Sequence, residues 1–150
     1  VLGANHVRIQ LEGIRFTSKL IDGRFPEYER VIPRDSSNEL EAERDVFRGG
    51  MQRTAILSNE KYRGIRLIIR DNAVVLQAHN PEQEEAEEEL EVTYSGDDIE
   101  IGFNLNYLLD AIAAVDGDDV ALSVVDSNSS CLIRAPGKDD CKFVVMPMRL

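Results

Sequence analysis

Several residue types are scarce in this 150-residue chain, which has no tryptophan, two cysteines and two histidines. Two cysteines without partnering histidines do not make a zinc site. No apolar run approaches the roughly 18 residues of a membrane-spanning helix, and no signal-peptide pattern opens the chain. We therefore expect a soluble, cytoplasmic protein whose Cys131 and Cys141 are reduced thiols. The Pro136-Gly137 turn between them could still bring the two cysteines face to face across a hairpin.

Positive charge is also in short supply, with 17 basic against 28 acidic residues and a net charge of −11. This balance argues against a general nucleic-acid binder that is held by phosphate neutralisation. The acids are concentrated in residues 82–91, where the glycine-turned spacing of a calcium loop is missing. Two interpretations of this run remain open, a solvated face or a patch that docks a basic surface.

The first part of the chain predicts a hairpin followed by a linker. Residues 5–11 and 14–20 alternate as two strands around a Glu12-Gly13 turn. Residues 28–32 are predicted to be short and extended, and residues 33–38 are the most linker-like run, so we place a domain boundary there. The chain begins at Val1 without an initiator methionine, and we expect it to be a fragment of a longer protein.

From Glu39 onward the chain predicts two units with the same order of elements. The first has a short strand at 40–42, a helix at 45–58 and strands at 64–70, 73–79 and 86–94. The second has a strand at 99–103, a helix at 104–115 and strands at 119–125, 130–135 and 142–146. This βαβββ repeat predicts an α+β fold with two helices side by side on one face of an antiparallel sheet.

The first predicted helix has an apolar stripe and a pair of glycines. The stripe consists of Val46, Met51, Ala55 and Ile56, and Asp45 supplies a first-turn acid. Gly49-Gly50 lies inside the helix at a cost of about 1 kcal/mol per glycine. Because a glycine permits close approach, we expect this helix to pack tightly on the sheet.

Catalytic motifs are not found. The sequence has no G-x-S-x-G, no glycine-rich phosphate loop and no H-E-x-x-H. His79 precedes the acidic run, but one histidine with nearby carboxylates is a weak signal, and a structural histidine is expected. A hydrolase that uses His79 is kept only as a remote alternative.

The last residues, 144–150, end the chain without a polar tail. Residues 142–146 predict a final strand, and Pro147 stops further ladder pairing. Met146, Met148 and Leu150 follow, and methionine adapts well to irregular contacts and to several partners. The tail therefore has two interpretations, a strand that closes a sheet or a surface that binds partners.

Five segments in order identify a family. Residues 16–26, 55–64, 80–88, 92–96 and 144–150 closely resemble the bacterial DNA polymerase III beta subunit, the sliding clamp. The resemblance runs over essentially the whole chain but over only about two fifths of such a protein. It implies the DNA clamp fold, in which three similar domains per subunit close as a head-to-tail dimer, with sheets outside and helices lining the hole. It also implies that residues 1–31 are the terminal hairpin of the middle domain and residues 32–150 the third domain.

The resemblance implies three sets of site residues and no cofactor or metal. The subunit interface is expected at Ile56, Leu57, Glu82, Glu84, Glu85 and Glu88. DNA-facing cations are expected at Arg44, Arg48 and Arg53. The wall of a groove for apolar linear motifs is expected at Pro26, Arg30, Val31, Tyr62, Asn104, Tyr107, Ser130, Val144, Val145, Met146, Pro147, Met148, Arg149 and Leu150. Arg30, Asn104 and the tail are expected to hydrogen-bond the peptide backbone.

The implied function is that of a non-catalytic processivity factor. Such a ring encircles duplex DNA without sequence preference and tethers DNA polymerases, the clamp loader and repair proteins through the groove. A ring is held on DNA topologically, so a net negative charge is compatible with it. This fragment is not expected to close a ring by itself. The alternative from another class is an acidic protein-interaction module that does not act on DNA.

Overall fold

The computed structural model describes residues 1–23, 27–33 and 38–149. Within these ranges there are two α-helices, α1 (Arg44–Thr54) and α2 (Leu105–Ala113). The strands are β1 (His6–Leu11), β2 (Ile14–Lys19), β3 (Glu39–Glu43), β4 (Gly64–Arg70), β5 (Ala73–His79), β6 (Glu85–Glu91), β7 (Ile99–Asn104), β8 (Asp119–Ser123), β9 (Cys131–Arg134) and β10 (Phe143–Val145). The predicted order of elements is therefore found. Neither helix of the described ranges has the length and apolar character needed to cross a bilayer.

The predicted opening hairpin is present as β1 and β2, which pair antiparallel around Gly13. One of its faces is apolar, because Ile9 lies opposite Phe16 and Leu11 lies opposite Ile14. All four of these side chains are exposed. The hairpin therefore presents an apolar face that the described residues do not cover.

The two βαβββ units exchange their first strands. One four-stranded sheet has the order β10-β9-β8-β3, and the other has the order β6-β5-β4-β7. Each sheet thus takes three strands from one unit and its edge strand from the other unit. The predicted antiparallel sheets are therefore present, but the exchange of edge strands was not predicted, because element order along the chain does not reveal which unit a strand pairs with.

Backbone hydrogen bonds join the two sheets at both pairs of edges. Glu41 of β3 and Thr93, just beyond β6, exchange N–H···O bonds of 2.9 and 2.8 Å. At the opposite edges, the N–H of Met148, beyond β10, donates to the carbonyl of Gly102 in β7 at 2.8 Å. The C-terminal segment therefore crosses from the edge of one sheet to the edge of the other.

The predicted stripe of helix α1 is confirmed at Met51 and Ala55, which are buried, and wrong at Val46 and Ile56. Phe47 and Met51 are fully buried, whereas Val46 is 47% exposed and Ile56 is 79% exposed. Residues 55–57 form a short 3-10 turn instead of continuing the helix, which places Ile56 outside the buried face. The expected tight packing is present, since a Cβ built at Gly50 would lie 2.8 Å from Leu90 Cδ1.

The sequence of helix α2 predicts one buried face, because apolar residues recur at helical spacing at Leu105, Leu108, Leu109, Ile112 and Val115. Leu105, Leu108 and Ile112 are fully buried in the core that both sheets share. Asn104 is the N-cap, because its side-chain oxygen accepts hydrogen bonds from the backbone N–H groups of residues 106 and 107. Asparagine is among the preferred N-cap residues, so the start of α2 is encoded locally.

Two further local predictions need correction. Residues 28–30 form a 3-10 helix and not an extended segment. The cysteines do not face each other: Cys131 is buried opposite Val145 in the sheet, and Cys141 is exposed before β10 begins. Both thiols are free, and burial raises the pKa of Cys131 to about 12, so this thiol is unreactive.

Candidate functional site

The C-terminal segment has one part in the sheet and one part on the surface, so each of the two interpretations of its sequence applies to a different part. Val145 is buried in β10, and Phe143 packs against the core. Met146, the next residue, is 61% exposed. An exposed methionine directly after a buried strand offers apolar surface to a partner. Its flexible side chain can adapt to the partner without movement of the backbone.

Met146 lies at the junction of two concave surfaces. The first, which we call the linker cleft, is about 980 Å³ in volume. It is lined by Glu27, Tyr28, Glu29, Arg30, Val31, Ile32, Pro33, Val125, Asn128, Ser129, Ser130 and Met146. Four predicted groove residues, Arg30, Val31, Ser130 and Met146, are therefore brought together here.

Hydrogen bonds hold the wall of the linker cleft in place. The Ser130 hydroxyl donates to the carbonyl of Val31, which ties the segment of residues 27–33 to the loop before β9. Arg30 forms an exposed ion pair with Glu27. The Asp126 carboxylate accepts the N–H groups of Asn128 and Ser129, both at 2.8 Å, and these bonds lower the pKa of Asp126. The loop that carries Asn128 and Ser130 is thus fixed by its own turn.

The second concave surface, the helix recess, lies between α2 and β10 and is about 700 Å³ in volume. It is lined by Tyr107, Asp110, Ala111, Lys142, Phe143, Val144, Val145 and Met146. This recess brings together another four predicted groove residues, Tyr107, Val144, Val145 and the shared Met146.

A third concave surface, the tail cleft, is about 360 Å³ in volume. It is lined by Asn59, Tyr62, Gly64, His79, Asn80, Pro81, Met148 and Arg149. The predicted residues Tyr62, Met148 and Arg149 meet here. Pro147 is half-buried and lies in sequence between Met146 and the tail-cleft residue Met148.

The Asn104 side chain has a structural role, and its contact with a peptide backbone stays a prediction. Its side-chain oxygen accepts the Asn106 and Tyr107 N–H groups at 3.0 and 3.3 Å, and its amide nitrogen donates to the Tyr62 carbonyl at 3.2 Å. The side chain is therefore occupied in capping α2 and in linking the loop of Tyr62 to Tyr107. It thereby positions two groove residues.

Some predicted groove residues cannot be placed, and others were missed. Pro26 and Leu150 lie outside the described residues. Val125, Ser129 and Ile32 line the linker cleft and were not predicted. Only Val125 carries a sequence signal, because it extends the apolar run of its strand by one exposed residue.

An ion pair joins the end of α1 to Glu88 of the acidic segment. The Arg53 Nε donates to Glu88 Oε2 at 3.0 Å, and a second guanidinium nitrogen bonds the same carboxylate. This hydrogen bonding lowers the pKa of Glu88 and raises that of Arg53. Glu82, Glu84 and Glu85 are exposed, and Glu84 is held by Asn80 at 2.7 Å. Arg53 and Glu88, predicted for two different interfaces, are thus paired with each other.

The other two predicted cations differ in availability. Arg44 donates to the carbonyl of Val115 at 3.1 Å and contacts Asp45 at 3.3 Å, so it caps the end of α2 from across the domain. Arg48 is exposed and has no ion-pair partner within the described ranges. Of the three, Arg48 is the cation best placed to meet an external anion.

The surroundings of His79 do not form a catalytic or metal site. His79 ends β5 opposite Glu85 of β6, at the rim of the tail cleft. In the part of the chain that the structure describes, no group of three or more His, Cys, Asp or Glu side chains could hold a metal ion. The histidine lies on an exposed sheet face beside a glutamate, without a nucleophile whose activation the geometry indicates.

The chain is similar to known proteins along its whole length. The model of the DNA polymerase III beta subunit, C-terminal domain, matches residues 29–149. The beta sliding clamp of Pseudomonas putida is 52% identical over 150 residues, and that of Escherichia coli K12 is 48% identical over 149 residues. These alignments cover 100% and 99% of this chain but 41% of each relative, so the chain spans about two fifths of their length.

Solved structures give the same result. A DNA polymerase III beta subunit from Pseudomonas aeruginosa superposes with a TM-score of 0.87 at 51% identity, covering 100% of this chain and 41% of that one. A sliding clamp of the same organism, bound to griselimycin, superposes with a TM-score of 0.84 at 51% identity over the same shares. The predicted α+β clamp fold is confirmed. The chain belongs to the family of the DNA polymerase III beta subunit, C-terminal domain.

Proposed function

We propose that this chain is the partner-binding part of a DNA sliding clamp, a non-catalytic processivity factor that acts in the cytoplasm. In this proposal residues 1–31 are the end of the middle domain, and residues 32–150 are the third domain. The complete ring encircles duplex DNA and tethers polymerases, the clamp loader and repair proteins. The observation that carries the proposal is the exposed Met146 at the junction of the linker cleft and the helix recess, in a chain of this family.

The proposed ligand is a short apolar linear motif in extended conformation. Tyr107 and Met146 are exposed, and Val144 is half-buried beside them, so these side chains can bury apolar residues of a partner. Pockets of this kind combine adaptable apolar walls with a few polar groups that fix orientation. A relative that is 51% identical binds griselimycin, and we propose that this chain binds the same compound in the groove.

The proposed ring contact uses the surface at the end of α1. Ile56 is 79% exposed, whereas the isoleucines of the sheets beneath it, such as Ile65, Ile69 and Ile101, are buried. Glu88 of β6 pairs with Arg53 in the last turn of α1, and Glu82, Glu84 and Glu85 are exposed in the loop before β6 and at its start. An apolar residue with neighbouring carboxylates fits a partner surface that is apolar and basic, and the carboxylates set its orientation.

Titration with a peptide from the tail of a clamp-binding polymerase tests the groove. We expect Met146→Ala to weaken binding about tenfold, because a methionine at the centre of an apolar contact contributes roughly 1–2 kcal/mol. Val46→Ala removes an exposed apolar side chain from α1, outside the three concave surfaces, and serves as the matched control. Fluorescence anisotropy measures both affinities.

Unchanged binding by the Met146 variant would contradict the groove assignment. Failure of the unsubstituted chain to bind any clamp-binding peptide would favour the acidic interaction module instead. Turnover of a hydrolase substrate that is lost in His79→Ala would favour the remote catalytic alternative.

A further inference from the structure

The helix recess extends the proposed groove beyond the residues that the sequence indicated. Met146 lines both the linker cleft and the helix recess, so the two surfaces adjoin at one exposed and flexible side chain. An extended peptide that lies in the linker cleft and passes Met146 enters the space between α2 and β10. The recess is thus a site for residues that flank the apolar motif.

The lining of the helix recess is apolar with two charged groups. Tyr107, Ala111 and Phe143 provide apolar surface. The Lys142 Nζ lies 3.1 Å from Asp139 Oδ1, and this bond lowers the pKa of Asp139, so the lysine is already paired. Asp110 is exposed and forms no hydrogen bond or ion pair with any residue that the structure describes. The recess therefore carries one uncompensated negative charge.

The position of Asp110 in its helix makes this charge unfavourable for the isolated chain. Asp110 lies in the last turn of α2, where the helix dipole is negative, and this turn has no basic residue. An acid at this end of a helix destabilises it, whereas a cation stabilises it. A positive group bound in the recess would therefore be attracted by both the carboxylate and the helix end.

We propose that the helix recess binds the flank of a partner's linear motif, and that this flank carries an apolar residue next to a lysine or arginine. The apolar side chain packs on Tyr107 and Ala111, and the cation pairs with Asp110. This inference rests on the proposed function, because the recess is reached from the groove. It adds a specificity for basic flanks that apolar contacts at Met146 do not supply.

Three peptides test the inference on the 150-residue chain. Each has the same motif from a clamp-binding polymerase tail, extended at both ends by Leu-Lys, Leu-Gln or Leu-Glu. We expect the Leu-Lys peptide to bind about two- to fivefold tighter than the Leu-Gln peptide, the range of an exposed ion pair. The preference should shrink at high salt, because exposed pairs are screened.

Two variants separate the recess from general attraction to an acidic protein. Asp110→Asn should abolish the preference for Leu-Lys and leave the thermal midpoint unchanged or slightly higher. Asp119→Asn removes the same charge from an exposed position at the start of β8, outside the recess, and should keep the preference. In NMR spectra, the amide signals of Ala111 and Lys142 should shift more with Leu-Lys than with Leu-Gln.

The outcomes are distinguishable. If no peptide binds, the proposed groove is wrong and this inference is wrong with it. If the motif binds but the flanks make no difference, or if Asp110→Asn keeps the preference, the groove stands and the inference is overturned. Loss of the preference in Asp110→Asn alone, together with the shifts at Ala111 and Lys142, supports it.

Discussion

Gly50 marks the closest approach between α1 and the sheet beneath it. A Cβ at this position would lie 2.8 Å from Leu90 Cδ1 and 3.2 Å from Leu76 Cδ1. Both leucines are buried, so neither can move away without disturbing the core. The glycine is therefore required by packing, although it lowers the intrinsic stability of the helix.

We expect Gly50→Ala to destabilise the chain by up to about 2 kcal/mol, because overpacking of about 1–3 kcal/mol is offset only by a gain of about 1 kcal/mol in helix propensity. Gly49→Ala is the matched control. Its Cβ would meet only the guanidinium end of Arg53, at 3.1 Å, and this flexible group can shift. Urea denaturation should therefore show opposite signs for the two alanines. A Gly50→Ala variant as stable as Gly49→Ala would contradict the packing explanation.

Residue roles were predictable where the signal is local. The N-cap at Asn104 and the turn at residues 126–130 follow from side-chain chemistry over two or three positions. The pairing of Arg53 with Glu88 spans 35 residues and depends on how α1 lies on β6. No spacing rule along the chain reveals such a contact, which is why the two residues were predicted for different interfaces.

At the scale of elements, Asn104 links the start of α2 to the loop that carries Tyr62. We expect Asn104→Ala to destabilise the chain by about 1 kcal/mol, the usual loss for an N-cap. It should also weaken binding of the clamp-binding peptide, because Tyr62 and Tyr107 lose their common tie. Asn106→Ala is the control, since Asn106 is an exposed asparagine two residues further along the same helix turn. Thermal unfolding and peptide titration measure the two effects.

The effects of Asn104→Ala on thermal stability and on peptide affinity are measured independently. A variant that loses stability but binds the peptide with unchanged affinity would show that Asn104 is a cap only. Equal effects of Asn104→Ala and Asn106→Ala would contradict both assigned roles.

The elements themselves were predicted with uneven success. The stripe of α2 was correct because its leucines and isoleucine recur strictly at helical spacing. In α1 the two glycines and the choice between Val46 and Phe47 left the phase of the stripe ambiguous, and the buried phenylalanine was missed. Residues 28–32 carry no periodic pattern, so their 3-10 helix was not detectable from local spacing.

At the scale of the whole molecule, we expect the 150-residue chain to be a monomer. The resemblance implies that the surface at Ile56 meets a domain from the part of the relatives that this chain does not match. Sedimentation velocity at several concentrations should give the mass of one chain. A stable closed dimer would contradict the prediction.

The repeat of two βαβββ units was predictable, but the pairing between the units was not. Alternation and helical spacing identify strands and helices one at a time. The partner of β3 is decided by packing of the whole core, and it turns out to be β8 of the other unit. The same limit applies to the predicted groove, whose residues come from five distant parts of the chain and were proposed only through the family resemblance.

The exchanged first strands have a consequence for how the chain folds. Glu39 in β3 bonds Ser123 in β8, 84 residues away, and β7 of the second unit completes the sheet of the first. Neither half can therefore finish its sheet before the other half exists, so the two units form a single cooperative folding unit. Pairing of strands that are distant in sequence loses loop-closure entropy before the strand contacts stabilise the chain. Folding should therefore be slow for a chain of this length. A nascent chain would remain exposed to chaperones until β8 has been synthesised.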